Sequence, residues 1–254
     1  MVLLLGALAT ALVHPGCRAN APAPPEGSPS QPATLTSSRG PQSSTLKSRM
    51  RDHDVHGARL RDAVAGASVD AARREAKVLA ELRIEGSVEP TWRRQLDAMN
   101  TAAATVVNAK DLTEASRGLA AVARTCGDCH ATLGGPGPVV GEPPAEGSGV
   151  GPRMTRHQWA AARLWDGLVA PSEDAWKAGA RVLIDAPLVP EALTPGKSPA
   201  PAIADLSSSV HELGRKARVV DAAIDRGAVY AELMATCSAC HLRLGGGPPE
   251  AKPR

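Results

Sequence analysis

The feature that most constrains the fold of this chain is an internal repeat. Residues 126–130 read CGDCH, and residues 237–241 read CSACH. Nearer the amino terminus, residues 49–53 (RMRDH) recur as residues 153–157 (RMTRH). The two copies are offset by 104 positions at the RMxxH string and by 111 at the CxxCH string, so the second copy contains a longer internal connection. A chain that carries one pattern twice at this spacing is expected to fold as two similar domains.

Segments rich in proline and glycine mark the edges of these domains. We expect a first domain at residues 46–135, a linker at 136–151, a second domain at 152–246 and a tail at 247–254. The extra length of the second copy falls in the proline-rich stretch 187–201. Each domain then has an ordinary length for an independent folding unit.

Within each copy, apolar residues recur every three or four positions, which is the period of an amphipathic helix. The chain contains no Phe, one Tyr and four Trp, and a sequence so poor in aromatic residues favours helices over strands. The pattern predicts four helices per copy, the second of which covers about residues 71–82 and 175–184. We therefore predict an all-α fold of two tandem four-helix bundles, each ending in a helix that carries CxxCH.

The amino terminus is typical of an exported protein. Residues 1–13 are apolar and uncharged, too few for a transmembrane helix but suited to a signal peptide. The pair Gly16-Cys17 at the end of this run resembles the lipidation site of bacterial lipoproteins. We therefore expect a signal peptide over residues 1–17 and a lipid on Cys17. The alternative is a plain signal peptide followed by an incidental cysteine.

Residues 18–45 are mostly Pro, Ser, Ala, Gly and Thr without an apolar period, and we expect them to form a disordered tether. Such a tether would hold the domains away from a membrane surface. Because Arg18 follows the cysteine, where an aspartate would favour retention in the inner membrane, the expected location is the periplasm, with an anchor in the outer membrane.

Four of the five cysteines belong to the two CxxCH strings. Two cysteines three positions apart on a helix project from one face, so both can form thioethers with one porphyrin. The adjacent histidine is then held beneath the iron as its proximal ligand. The strings predict two covalently attached haem c groups, and these large apolar cofactors would replace the missing aromatic core. The predicted attachment and ligand residues are Cys126, Cys129, His130, Cys237, Cys240 and His241.

Three other interpretations of the cysteines stay open at this point. A thioredoxin-like redox pair would require a βαβ context that the helical pattern does not supply. A structural zinc site usually takes four ligands, whereas each string offers three. Two structural disulfides suit an oxidising compartment but leave the adjacent histidine in both copies unexplained.

The position of CxxCH near the end of each copy, on the last of four helices, resembles the cytochrome c-prime family and its low-spin relatives. The resemblance covers both repeats and includes the spacing of the RMxxH string on the first helix. It implies that each haem lies between the helices, with the sixth position of the iron facing the first helix.

That first helix offers a methionine and a histidine to each iron. In the family, an arginine of the first helix often precedes the distal haem-facing residue by four positions, which is the spacing of arginine and histidine in both RMxxH strings. The resemblance therefore favours the histidines as distal ligands, with the methionines packing on the porphyrin and the arginines pairing with haem propionates; methionine ligation and an open site are the alternatives. The residues concerned are Arg49, Met50, His53, Arg153, Met154 and His157.

Other candidate side chains do not recur in the repeat. His56 has no histidine counterpart and is expected at the surface, and His211 is not expected to be a ligand. Met99 and Met234 are expected to contact the core or the haem.

These features predict a di-haem cytochrome c that transfers electrons between partner proteins in the periplasm and is bound to a membrane through a lipid anchor. The formal net charge of +3 and the lack of a basic run argue against nucleic-acid binding. No acid–base pair points to substrate chemistry, so we do not expect an enzyme. The alternative function is binding or sensing of a small gas at a haem of the cytochrome c-prime type.

Overall fold

The computed structural model describes residues 41–83, 89–194, 196 and 198–247. The predicted signal peptide with Cys17, the tether up to residue 40 and the tail beyond residue 247 lie outside the described residues. Over the described ranges the chain forms nine helices and no strand, which confirms the prediction of an all-α fold. None of the helices described is both long and apolar enough to cross a membrane.

The first copy contains four helices. These are α1 (Pro41–Ala65), α2 (Val69–Glu81), α3 (Pro90–Val107) and α4 (Leu112–Leu133). Helix α1 begins within the segment expected to be a tether, five residues before the expected start of the first domain. Proline is well suited to this first helical position, because its missing N–H would have no intrahelical partner there.

The second copy contains the remaining helices. These are α5 (Val150–Val169), α6 (Glu173–Asp185), the short α7 (Pro190–Leu193), α8 (Pro201–Val219) and α9 (Ala223–Leu244). Helix α7 lies in the proline-rich stretch that makes the second copy longer. The sequence pattern did not predict it, because a single turn is too short to show a helical period.

Equivalent residues cap equivalent helices in the two copies. The side chains of Ser68 and Ser172 accept hydrogen bonds from the N–H groups of Ala71 (3.3 Å) and Ala175 (3.2 Å). Helices α2 and α6 therefore begin two residues earlier than the apolar pattern alone indicated, since a serine N-cap satisfies the free N–H groups of the first turn.

Apart from the short α7, helices that follow one another in sequence pack together within each copy. In the first copy α1 packs on α2, α2 on α3 and α3 on α4; in the second, α5 packs on α6, α6 on α8 and α8 on α9. The copies also pack on each other, because α4 lies along α9, α5 contacts α4 and α1 contacts α9. The described residues from 41 to 247 consequently form one compact unit.

The proline-rich connection between α4 and α5 lies against α5. Arg156 donates from Nη1 to the carbonyl oxygen of Pro144 at 2.5 Å, and Arg163 donates from Nη1 to that of Val139 at 3.0 Å. Two arginines of α5 thus supply hydrogen bonds to a segment whose proline and glycine residues form no regular structure of their own.

Trp176 of α6 is the largest side chain of the second copy that is fully buried. It is 1% exposed, and its Nε1 donates to the carbonyl oxygen of Ala217 in α8 at 2.7 Å. The guanidinium carbon of Arg226, from α9, lies 5.2 Å from the centre of its ring. One side chain therefore joins three helices of this copy.

Trp176→Ala is expected to lower the free energy of unfolding by about 3–5 kcal/mol, because it leaves a large cavity and an unpaired carbonyl group. Urea denaturation monitored by circular dichroism measures the change. Val139→Ala serves as the control, since Val139 is 88% exposed and its backbone hydrogen bond is retained. Equal free energies of unfolding for the two variants would contradict the prediction that Trp176 stabilises the second copy.

Candidate cofactor sites

The CxxCH string of the second copy opens onto a large cavity. The cavity has a volume of about 460 Å³ and is lined by Cys237, Cys240 and His241 of α9. Met154 and His157 of α5 line it as well. The fold therefore brings the two repeated strings of this copy, about 80 residues apart in sequence, to one space, which we call the second cavity.

Most of the remaining wall of the second cavity is apolar. Aliphatic side chains come from the connection after α6, from α8 and from the end of α9. The main ones are Leu188, Leu193, Leu206, Val210 and Leu244, together with the fully buried Met234. Such a wall excludes water and suits a flat apolar ligand.

His241 is held by the backbone of the first copy. Its Nδ1 lies 2.6 Å from the carbonyl oxygen of Ala65, in the last turn of α1. Because a carbonyl oxygen only accepts, Nδ1 carries the proton and Nε2 carries the free lone pair. This is the usual arrangement of a histidine that binds a metal through Nε2, with the other ring nitrogen bonded to a backbone carbonyl.

His157 is buried in the wall of the second cavity contributed by α5. Its Nε2 donates to the carbonyl oxygen of Ala186 at 2.6 Å. Burial lowers the pKa of His157 to about 4, so its imidazole is neutral at pH 7. A neutral imidazole keeps the lone pair that metal binding requires.

His211 packs edge-on against His157, with ring centres 6.0 Å apart. Its Nδ1 donates to the carbonyl oxygen of Leu183 at 2.8 Å, and its Nε2 accepts from the N–H of Leu188 at 3.0 Å. Both ring nitrogens are therefore occupied by backbone groups, and His211 fixes the connection that follows α6. This role could not be predicted from the repeat, because His211 has no counterpart in the first copy.

The CxxCH string of the first copy lines a smaller space, which we call the first cavity. Its volume is about 80 Å³, and Cys126, Cys129 and His130 of α4 line it. Met50 and His53 of α1 lie in the same wall. Burial lowers the pKa of His53, which favours the neutral imidazole. The equivalent residues are thus brought together in both copies.

The two cavities differ in how well they suit a porphyrin. Pockets for ligands of this size usually measure about 300–1,000 Å³, a range that includes the second cavity and excludes the first. Trp165 of α5, only 4% exposed, occupies part of the wall of the first cavity. The side chains of the first cavity must therefore move outward for a haem to enter, whereas the second has room already.

His130 differs from His241 in the surroundings of its ring nitrogen Nδ1. Its Nδ1 is buried and has no hydrogen-bond partner among the described residues. A buried polar atom of this kind costs free energy. His241 donates to the carbonyl oxygen of Ala65. The residue of the second copy that is equivalent to Ala65 is Val169 of α5, which lines the first cavity.

All four CxxCH cysteines are free thiols. Burial raises the pKa of Cys126 and of Cys237 to about 12, so both are neutral at pH 7. In the described part of the chain, no group of three or more His, Cys, Asp and Glu side chains is arranged to hold a metal ion.

Two predicted cofactor-binding arginines do not line the cavity of their copy in this structure. Arg49 forms an ion pair with Asp52 at 4.0 Å, and Arg153 donates to the carbonyl oxygen of Pro187 at 2.5 Å. Of the first and second cavities, only the second has an arginine in its described lining, and this residue is Arg61. Sequence reasoning missed Arg61 because its counterpart is Trp165, so the position does not look repeated.

His56 was expected at the surface and is instead half-buried between two helices. Its Nδ1 lies 2.6 Å from a carboxylate oxygen of Glu75, which joins α1 to α2. Met99 lies in the wall of the first cavity and is 4% exposed.

No family model matches the sequence, and no curated protein or solved structure matches the chain.

A glycine after each CxxCH helix lets the chain turn close to the histidine. A Cβ atom at Gly135 would lie 2.5 Å from Cγ of His130. Gly135→Ala is therefore expected to displace the His130 ring and to destabilise the protein by about 1–3 kcal/mol. The ring resonances of His130 and the urea midpoint report the two effects.

Gly137→Ala is the matched control, because a Cβ atom at Gly137 meets nothing within 4 Å. Identical His130 resonances in the two variants would show that Gly135 does not set the position of the ring.

Proposed function

We propose that this protein is a di-haem cytochrome c that transfers electrons in the periplasm. The observation that carries the proposal is the lining of the second cavity, where the CxxCH residues meet His157 in an apolar space large enough for a porphyrin. The equivalent residues meet in the first cavity, which supports two haem groups per chain. No catalytic step on a substrate is proposed, and the protein is not proposed to be an enzyme.

The protein residues have three tasks in this proposal. The cysteine pairs of α4 and α9 would attach the two porphyrins, His130 and His241 would bind the two irons, and the apolar walls would exclude water. The haem supplies a one-electron iron couple. The proton on Nδ1 of His241, fixed by the carbonyl of Ala65, leaves Nε2 available for the iron.

We propose that His53 and His157 would be the second protein ligands of the two irons. Both line a cavity together with the CxxCH string of their own copy, and burial favours the neutral form of both. Met50 and Met154, one turn earlier on the same helices, would pack on the porphyrins as polarisable apolar neighbours. Two imidazoles make the iron low-spin.

The resemblance to the cytochrome c-prime family supports an arrangement of two four-helix bundles in series, with α7 as an addition in the second. Helices α1–α4 and helices α5, α6, α8 and α9 would be the equivalent sets, and residues 136–151 would connect them. Arg49 and Arg153 would reach the haem propionates only after giving up the contacts described above.

The location is proposed from the amino terminus alone. A signal peptide over residues 1–17, a lipid on Cys17 and a tether after it would keep the haem domain in the periplasm near the outer membrane. The partners would be periplasmic redox proteins together with the membrane that holds the anchor. Nucleic acid is not proposed as a partner.

One observation favours a second candidate function, the binding of a small gas. Nε2 of His157 already donates to the carbonyl oxygen of Ala186, and the second cavity leaves space around it. If that hydrogen bond persists when haem is bound, the sixth position of the second iron stays open for a diatomic ligand.

Covalent haem is the first expectation of the proposal. The purified protein should retain two haems per chain after extraction with acidified acetone, because thioether bonds survive denaturation. Cys126→Ala combined with Cys129→Ala should reduce the count to one. The pyridine haemochrome spectrum gives the count, and a native protein that contains no haem would contradict the proposal.

Distal ligation is tested by replacing each histidine in turn. His157→Ala should make the second haem high-spin and let it bind carbon monoxide when reduced, and His53→Ala should do the same for the first. Electron paramagnetic resonance and optical spectra report both changes.

Met154→Ala is the control for the second haem. If Met154→Ala opens that haem and His157→Ala does not, the ligand is the methionine. If wild type is already high-spin and binds carbon monoxide, gas binding is the better function.

A further inference from the structure

The second half of each first helix contacts the cavity of the other copy. The offset of 104 pairs Arg61 and Ala65 of α1 with Trp165 and Val169 of α5. Arg61 and Ala65 line the second cavity, whereas Trp165 and Val169 line the first. Each cavity therefore has one wall that comes from the opposite copy, at equivalent positions.

Backbone contacts hold these walls in place. Ser238 of α9 donates from Oγ to the carbonyl oxygen of Val64 at 2.5 Å, next to the bond between His241 and Ala65. On the other side, Gly127 of α4 approaches Leu168 so closely that a Cβ atom would lie 2.2 Å from its carbonyl oxygen. The two contacts are equivalent, since the repeat offsets pair Gly127 with Ser238 and Val64 with Leu168.

We infer that the two haem sites are shared between the copies, so that Arg61 tunes the second haem and Trp165 tunes the first. This inference rests on the proposed function. It means that a substitution in one copy changes the reduction potential of the haem attached to the other copy.

The charge on Arg61 determines the sign of its effect. Its Nε donates to Oδ1 of Asp62 at 2.9 Å, and both side chains line the second cavity. The arginine is only 16% exposed, so water screens its charge incompletely. A nearby positive charge favours the reduced iron, which carries one positive charge fewer. Removing it, while leaving Asp62, lowers the reduction potential of the second haem.

Trp165 acts on the first haem by excluding water. The indole is 4% exposed and lies against Gly57, where a Cβ atom would be 3.1 Å from Cζ2. A smaller side chain admits water to the first cavity, and a more polar surrounding stabilises the more highly charged oxidised iron. Trp165→Leu therefore lowers the reduction potential of the first haem.

The experiment uses full-length protein that keeps one haem at a time. Cys126→Ser with Cys129→Ser leaves the second haem, and Cys237→Ser with Cys240→Ser leaves the first. Spectropotentiometric titration then gives the midpoint potential of a single haem in each background. A background that attaches no haem at either string contradicts the proposed function itself rather than the sharing of the sites.

Arg61→Gln is expected to lower the midpoint of the second haem and to leave the first unchanged. Arg61→Lys, which keeps the charge, should restore the wild-type midpoint, and Asp62→Asn should raise it. Arg59→Gln is the matched control, because Arg59 lies on the same helix outside the linings of the two cavities. If Arg61→Gln fails to fold, Asp62→Asn alone tests the sign.

The converse experiment uses the second copy. Trp165→Leu should lower the midpoint of the first haem only, and Trp159→Leu, on the same helix but outside both linings, should change neither. The inference is overturned if Arg61→Gln or Asp62→Asn shifts the first haem or neither haem. It is equally overturned if Trp165→Leu acts on the second haem or on neither.

Discussion

The close contact between each CxxCH helix and the end of the opposite first helix is the interaction on which the rest of the structure depends. Gly127 on one side lets α4 reach the backbone of α5, and Ser238 on the other bonds α9 to the backbone of α1. With a larger side chain at Gly127, α4 and α5 would have to separate. The single compact unit of the described residues, the bond between Ala65 and His241 and the shared walls of the cavities all depend on this approach.

Small residues allow the helices to approach one another closely in a chain that has few large apolar side chains. Helix α4 buries three alanines and two glycines, and α9 adds Gly227, Ala231 and Ser238, so dispersion contacts between small residues replace bulky packing there. The largest fully buried ring, that of Trp176, links α6 to α8 through its hydrogen bond to the carbonyl oxygen of Ala217. The space that side chains leave beside the second CxxCH string is where a large apolar cofactor would complete the core.

The two copies have similar helices but different sites. Arg61 and Trp165 occupy equivalent positions and face opposite cavities, one with charge and one with an indole. The first helices also end differently: α1 ends at a turn in which Ala67 has a φ of 61°, whereas α5 is followed by Ala170 and Pro171. The carbonyl of Ala65 meets His241, while Nδ1 of His130 stays without a partner in the described chain. Two haems in these sites would therefore differ in reduction potential.

The sequence by itself determined the all-helical fold and the repeat, whereas the juxtaposition of each RMxxH string with a CxxCH string was implied only by the resemblance to the cytochrome c-prime family. Helical period and repeat offsets are periodic signals, and they can be detected without coordinates. Only the tertiary structure decided that Arg61, Trp165 and the carbonyl of Ala65 belong to the site of the other copy, and that Arg49 and Arg153 contact other groups. These assignments depend on how α4, α9 and the ends of α1 and α5 pack. Such packing is set by backbone approach at single residues such as Gly127, which leaves no periodic trace in the sequence.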